Sequence, residues 1–183
     1  MRRIILAIGG AAVLAAVVAG IRRCSTEAAL ARPLLVSESV MIERPPEEVF
    51  AYVTEPQNIP EWVELIREVR TETEGPPREG ERFTVAIYIE FLGRKWEHSF
   101  EVTAYEPPRR YSNRRNLGGP FQDEHTYTFE EAGGGGGGTR LSLAMEVHPG
   151  VFFSIFGPLL EQPIQRQVRK ELGTLKDRLE ARG

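Results

Sequence analysis

The sequence predicts an α+β domain, a curved antiparallel sheet of six to seven strands wrapped around a long C-terminal helix, with two short helices after the first strand. Three observations carry this. Glu81 to Leu92 alternates strictly, with Phe83, Val85, Ile87, Ile89 and Phe91 on one face and Thr84, Ala86, Tyr88 and Glu90 on the other. Two further alternating runs, Phe121–Phe129 and Thr139–Val147, are split by the glycine run 133–138 and read as a hairpin. Leu160, Ile164, Val168, Leu172, Leu175 and Leu179 then form one apolar stripe at helical period. A helix of this length needs a broad apolar surface to cover, and the strands supply it.

The N-terminus is a separate matter. Residues 4–21 are 18 consecutive uncharged residues between Arg2-Arg3 and Arg22-Arg23. As a helix they rise about 27 Å at ~1.5 Å per residue, close to the roughly 30 Å of a hydrocarbon core. Residues 1–23 are therefore expected to be an uncleaved, single-pass membrane anchor. The alternative is a cleaved signal segment and a secreted domain, with small residues near Ala19-Gly20 suited to cleavage. Arginines on both flanks leave the orientation open. Residues 24–33 read as a linker and 34–183 as the domain.

Within the domain, Leu34 to Glu43 alternates as a first strand and Pro45-Pro46 ends it. Pro46 with Glu47 and Glu48 opens a short helix, as the fixed proline φ and the helix dipole favour. Pro56 and Pro60 break up the following stretch to Trp62, giving a second short helix and an elbow. Glu64 to Glu74 is the least regular strand. Arg94 to Tyr105 places Trp96, His98, Phe100, Val102 and Ala104 on one face. A two-residue turn at Gly93-Arg94 would set Phe91 opposite Trp96, Ile89 opposite His98 and Ile87 opposite Phe100. Arg109 to Asn116 is followed by a three-residue turn at 118–120, which pairs Arg115 with Asp123 and Asn113 with His125. Pro158 and Pro163 are expected to kink the start of the long helix.

Charge narrows the function. Removing the five Arg and one Glu of residues 1–32 from totals of 23 basic and 26 acidic side chains leaves 18 and 25, a net of −7. A domain this acidic is a poor nucleic-acid partner. The single cysteine, Cys24, excludes a disulfide framework and a cysteine metal site. Arg22-Arg23 before it also differ from the small residues that precede a lipidated cysteine. His98, His125 and His148 lie on two faces, which does not make a metal site. The glycine run lacks the lysine and strand-to-helix context of a phosphate loop, and no cofactor is implied.

The polar exceptions on the apolar faces are the candidate site. His98 stands between Trp96 and Phe100, Asp123 and His125 share a face with Tyr127, and Asn113 and Arg115 share one with Tyr111. Either they satisfy one another at a pocket rim, or they fix the polar end of an apolar ligand. On the second reading the ligand-binding set is Phe83, Ile87, Ile89, Trp96, His98, Phe100, Tyr111, Asn113, Arg115, Asp123, His125, Tyr127, Phe156 and Ile164. His98, His125 and Asp123 are then the candidates for acid–base catalysis. Trp62 reads as core, and Phe152, Phe153 and Phe156 as core filling or a cap at the pocket entrance.

Several segments resemble the START/polyketide-cyclase superfamily, also called SRPBCC or helix-grip proteins. They are Ile42–Phe50, Asn58–Trp62, Val102–Arg109, Tyr127–Glu131, Gly138–Leu141 and the terminal helix, and the resemblance covers about residues 34–182. It implies a pocket between sheet and helix for a hydrophobic small molecule or lipid. Some members are cyclases, and many only carry or sense a ligand. No residue set shared by all members performs chemistry, so no catalytic residue carries over. The expected function is thus membrane-tethered binding of a hydrophobic molecule. A polyketide cyclase/dehydratase-like enzyme and a non-catalytic interaction module with a collapsed pocket are the alternatives.

Overall fold

The computed structural model describes residues 33–182 apart from 73–74, 90–93, 116–120, 134–136 and 150, and says nothing of the side chains of 88, 89, 94, 96, 121, 149 and 151–160. The apolar segment at 4–21 and most of the expected linker lie outside the described residues. Among the described residues, no helix is long and apolar enough to cross a membrane.

Seven strands run in one antiparallel sheet: β1 (Leu34–Ile42), β2 (Ile66–Thr71), β3 (Arg82–Ile89), β4 (Arg94–Glu106), β5 (Arg110–Arg115), β6 (Phe121–Glu131) and β7 (Thr139–Pro149). Their order is β1-β7-β6-β5-β4-β3-β2, so β2 to β7 form a meander and β1 closes beside β7. Between β1 and β2 lie α1 (Pro46–Thr54), a 3-10 turn (Pro56–Asn58) and α2 (Ile59–Trp62). The long helix α3 (Val151–Glu180) follows β7, with Pro158 and Pro163 inside its span.

Alternation places one face of each strand in the core. Val36 and Ile42 of β1, Phe83 and Val85 of β3, and Leu141 and Leu143 of β7 are buried there. They meet the α3 stripe, where Val168, Leu172, Leu175 and Leu179 are buried and Ile164 is partly so. Val49, Phe50 and Val53 of α1 pack on the same core, with Phe50 edge-on to Phe129 at 5.0 Å between ring centres.

The C-terminal end of α3 is tied to the β1–α1 corner. Arg44 donates from Nε to the Leu179 carbonyl and from Nη2 to the Glu180 carbonyl, both at 3.1 Å. This satisfies carbonyls that lack partners within the helix and sets a positive charge at its negative end. Lys176 Nζ donates to the Met41 carbonyl and the Glu43 amide to Glu180 Oε1, each at 2.8 Å. The buried Thr139 hydroxyl holds the Arg44 carbonyl at 2.6 Å.

Three expectations are corrected. In the β3–β4 hairpin, Ile87 faces Trp96, Val85 faces His98 and Phe83 faces Phe100, and Arg94 pairs with Ile89 rather than forming the turn. Each β4 residue thus meets β3 four positions earlier than expected. An even slip keeps every side chain on its face, so alternation does not distinguish the two registers. The stacked rings of Phe83 and Phe100, 5.3 Å apart, mark the observed one. The β4–β5 register also shifts between Val102 and Ala104. Such a bulge reverses the facing beyond it. Tyr105, not Ala104, therefore turns inward and packs on Phe50 and Tyr111. The irregular strand expected over 64–74 is only Ile66–Thr71.

Candidate functional site

Across the concave face, cross-strand partners line up in rows. One row is Val102, Asn113, His125 and Met145, running from β4 to β7. The next is Tyr105, Tyr111, Tyr127 and Leu143. The β5–β6 register is the expected one, with Asn113 opposite His125. Six members of these rows, with residues of β2, β3, α1, α2 and α3, line a partly open cavity of about 220 Å³. That exceeds the roughly 150 Å³ of an engineered apolar cavity known to take up benzene.

Of the expected ligand-binding residues, Phe83, Phe100, Tyr111, Asn113, His125, Tyr127 and Ile164 line this cavity. Ile87, His98, Arg115 and Asp123 are not among its lining residues. Ile87 instead packs at the edge of the core. The side chains of Ile89, Trp96 and Phe156, like those of Phe152 and Phe153 and the loops at 92–93 and 118–119, lie outside the described residues. His148 is exposed on the other side of β7, 3.0 Å from Glu146.

Behind the lining, Arg115 and Asp123 form a bidentate pair, with Nε to Oδ1 and Nη2 to Oδ2 both at 2.5 Å. Asp123 is 5% exposed. Burial opposes its ionisation, but the adjacent His125 and Arg115 outweigh this and hold its carboxyl below the usual range. His125 Nε2 stands 3.4 Å from Asp123 Oδ2, within charge range yet too poorly aligned for a hydrogen bond. His98 sits near the same pair, with Nδ1 buried and unpartnered. Desolvation, then repulsion by Arg115, lowers its pKa.

Sequence reasoning missed two polar lining residues of α3. Gln167 Nε2 donates to Glu171 Oε1 at 2.9 Å, and both line the cavity. Burial pushes the Glu171 carboxyl up, against smaller lowering effects from Gln167 and His125. Their spacing was the available signal: Ile164, Gln167, Val168 and Glu171 lie three and four residues apart, on one helical face. Trp62, expected as core, is both core and wall. It also borders a shallower surface groove between α2 and α3, together with Gln167 and Glu171.

Three lining residues carry buried polar atoms without a partner: Trp62 Nε1, Asn113 Oδ1 and His125 Nε2. The Tyr111 and Tyr127 hydroxyls sit deep enough that burial raises both pKa values, so they are neutral at physiological pH. The arrangement is therefore a mostly apolar chamber with a few polar side chains, Asn113, His125, Gln167 and Glu171 among them, in its lining. Among the described residues, no cluster of three or more His, Cys, Asp or Glu could hold a metal ion.

Seven antiparallel strands closed over such a chamber by a C-terminal helix define the START-like, helix-grip class. The chain belongs to the polyketide cyclase/dehydrase and lipid transport family, whose model matches residues 33–180. No curated protein matches the sequence. Among solved structures, it is similar to a START superfamily protein from Mycobacterium smegmatis (16% identity, TM-score 0.63, covering 81% of this chain and 99% of that one). It is also similar to TTHA0849 from Thermus thermophilus (21% identity, TM-score 0.62, 81% and 99% covered). A third is the di-domain ARO/CYC BexL from the BE-7585A biosynthetic pathway (17% identity, TM-score 0.61), where the match covers 80% of this chain and 46% of that one. At these identities the likeness is one of fold.

Proposed function

We propose that this protein binds a small, mostly apolar molecule in the chamber between sheet and α3, as a carrier or sensor. The observation that carries this is the roughly 220 Å³ cavity, walled by Phe83, Val85, Phe100 and Leu143 and only sparsely polar. A collapsed interaction module would have that space filled by side chains. The apolar run at 4–21 supports a tether that keeps the chamber near a bilayer, from which such molecules partition. Native mass spectrometry of the full chain, followed by solvent extraction, tests the binding. A reproducible extra mass is expected. A protein that is empty and takes up nothing from a panel of lipids and quinones rejects it. Deleting residues 1–23 should move the domain to the soluble fraction, and continued sedimentation with membranes would reject the tether.

A second reading is acid–base chemistry of the polyketide cyclase/dehydratase kind. It draws on one observation, that His125 and Glu171 both line the cavity. Turnover of a poly-β-keto mimic, lost in His125→Ala while the mimic still binds, would favour it.

A further inference from the structure

One acid stands in the wall of the chamber. Among the described lining residues it is Glu171, and they include neither lysine nor arginine. Gln167 donates to its Oε1 at 2.9 Å. Among the described residues Oε2 receives no hydrogen bond, yet it is not one of the sealed, unpartnered atoms, as Asn113 Oδ1 and His125 Nε2 are. Oε2 therefore faces open space. Glu171 borders two such spaces, the chamber and the groove between α2 and α3.

The cations nearby are already engaged. Lys170, in the groove, pairs with Glu64, and Arg115 is held by Asp123 behind the wall. Burial outweighs the Gln167 bond and the charges of His125 and Lys170, and pushes the Glu171 carboxyl up. The empty domain thus keeps an ionised Glu171 at a cost in stability, and a cation brought by a ligand would offset it.

The rest of the lining suits the body of such a cation. Phe83, Phe100, Tyr111 and Tyr127 present rings from the sheet side, and Trp62 lines both chamber and groove together with Glu171. Their area takes up hydrocarbon, and aromatic faces, indole above all, attract an ammonium.

We propose that the chamber takes a hydrophobic amine, a cation with an apolar or aromatic body, whose ammonium group donates to Glu171. This rests on the small-molecule reading above and adds the charge of the ligand to it. Glu171 is then a binding residue, kept in a mostly apolar wall because the ligand brings its countercharge.

The test compares 1-naphthylmethylamine, protonated at neutral pH, with 1-naphthylmethanol, its uncharged counterpart of the same shape. Both are measured by equilibrium dialysis against the full chain in an uncharged detergent, with protein-free micelles as the blank. The wild type should bind the amine at least about tenfold more tightly than the alcohol, the worth of one charge-assisted hydrogen bond in such a site. In Glu171→Gln the preference should disappear while the alcohol binds as before, which also shows that the chamber is intact. The amine should displace the alcohol, and binding of both at once would put the amine in the outer groove and overturn the proposal. Equal affinities in the wild type, or a preference kept by Glu171→Gln, overturn it as well, and alcohol binding then leaves the small-molecule reading standing. If neither probe binds, both readings fall.

Discussion

Arg115 holds Asp123 with two parallel contacts across the β5–β6 hairpin, one from Nε and one from Nη2, each to a different carboxylate oxygen. The carboxylate is nearly inaccessible, while the arginine side chain keeps 17% exposure. Removing the cation strands a buried charge, with only the ill-aligned His125 to offset it. Arg115→Ala is therefore expected to cost about 3 kcal/mol in urea unfolding. Asp123→Asn should cost less, because Arg115 can turn toward solvent. The folded Asp123 carboxyl titrates below its unfolded value of about 3.9, so its stabilisation is present above that pH and lost as pH falls through the folded value. Wild-type stability should thus drop more steeply than that of Asp123→Asn below about pH 4; parallel curves would refute the assignment.

Glu171 works in the opposite sense. Burial raises its folded pKa above the unfolded value of about 4.3. The folded state then holds the proton more tightly, and stability falls as pH rises between the two values. Glu171→Gln, which can still accept from Gln167, should raise the Tm at neutral pH, with the gain fading below about pH 4. A Tm difference that does not change with pH would show that the carboxyl is solvated in the folded protein.

Tyr52 links the elbow to the chain end. Its hydroxyl donates to Glu61 Oε2 at 2.9 Å, and the Arg182 guanidinium lies 4.5 Å above its ring. Burial, then the bond to Glu61, pushes its pKa up to about 12. The associated stabilisation is present below about pH 10 and lost as pH rises toward the folded value. The 295 nm titration difference between wild type and Tyr52→Phe should have its midpoint near pH 12 in the folded protein. Tyr52→Phe should also cost about 1 kcal/mol at neutral pH. A midpoint near the ordinary tyrosine value would mean that the hydroxyl is free.

Leu175 is fully buried and is not a cavity residue. Leu175→Ala should cost about 2–5 kcal/mol and leave small-molecule affinity unchanged wherever the variant is folded. An affinity change greater than about tenfold would show that the chamber extends to this turn.

What could be read before folding follows from what each signal encodes. Period-two alternation in Phe83–Ile87 and the stripe from Ile164 to Leu179 report facing, and the facing matches the observed sheet and helix. The expectation of a short turn led to the β5–β6 register, and with it to the pairing of Asn113 with His125. Facing carries no information about even slips, so the β3–β4 register escaped. The bulge beside Thr103 left no mark either, because Ala104 and Tyr105 both suit a strand. Gln167 and Glu171 were passed over because apolarity was the guide along α3, whereas its cavity face mixes the two kinds of residue. The inner boundary of the chamber, which admits Asn113 and His125 but leaves Arg115 and Asp123 outside, depends on how deeply adjacent rungs are covered. No single strand encodes that.

The tie between Arg44 and the last carbonyls of α3 makes the helix a beam built into a wall at one end. Lys176, Leu179 and Glu180 are fastened to the β1–α1 corner, whereas Ile164 to Glu171 spans the void. Glu171 lies eight residues, about 12 Å at ~1.5 Å per residue, from the Leu179 fastening. That span has ties of its own, from Arg169 to Glu38 of β1 and from Lys170 to Glu64. The roof of the chamber is therefore pinned beside the void by side-chain ion pairs and at its end by Arg44 on backbone carbonyls.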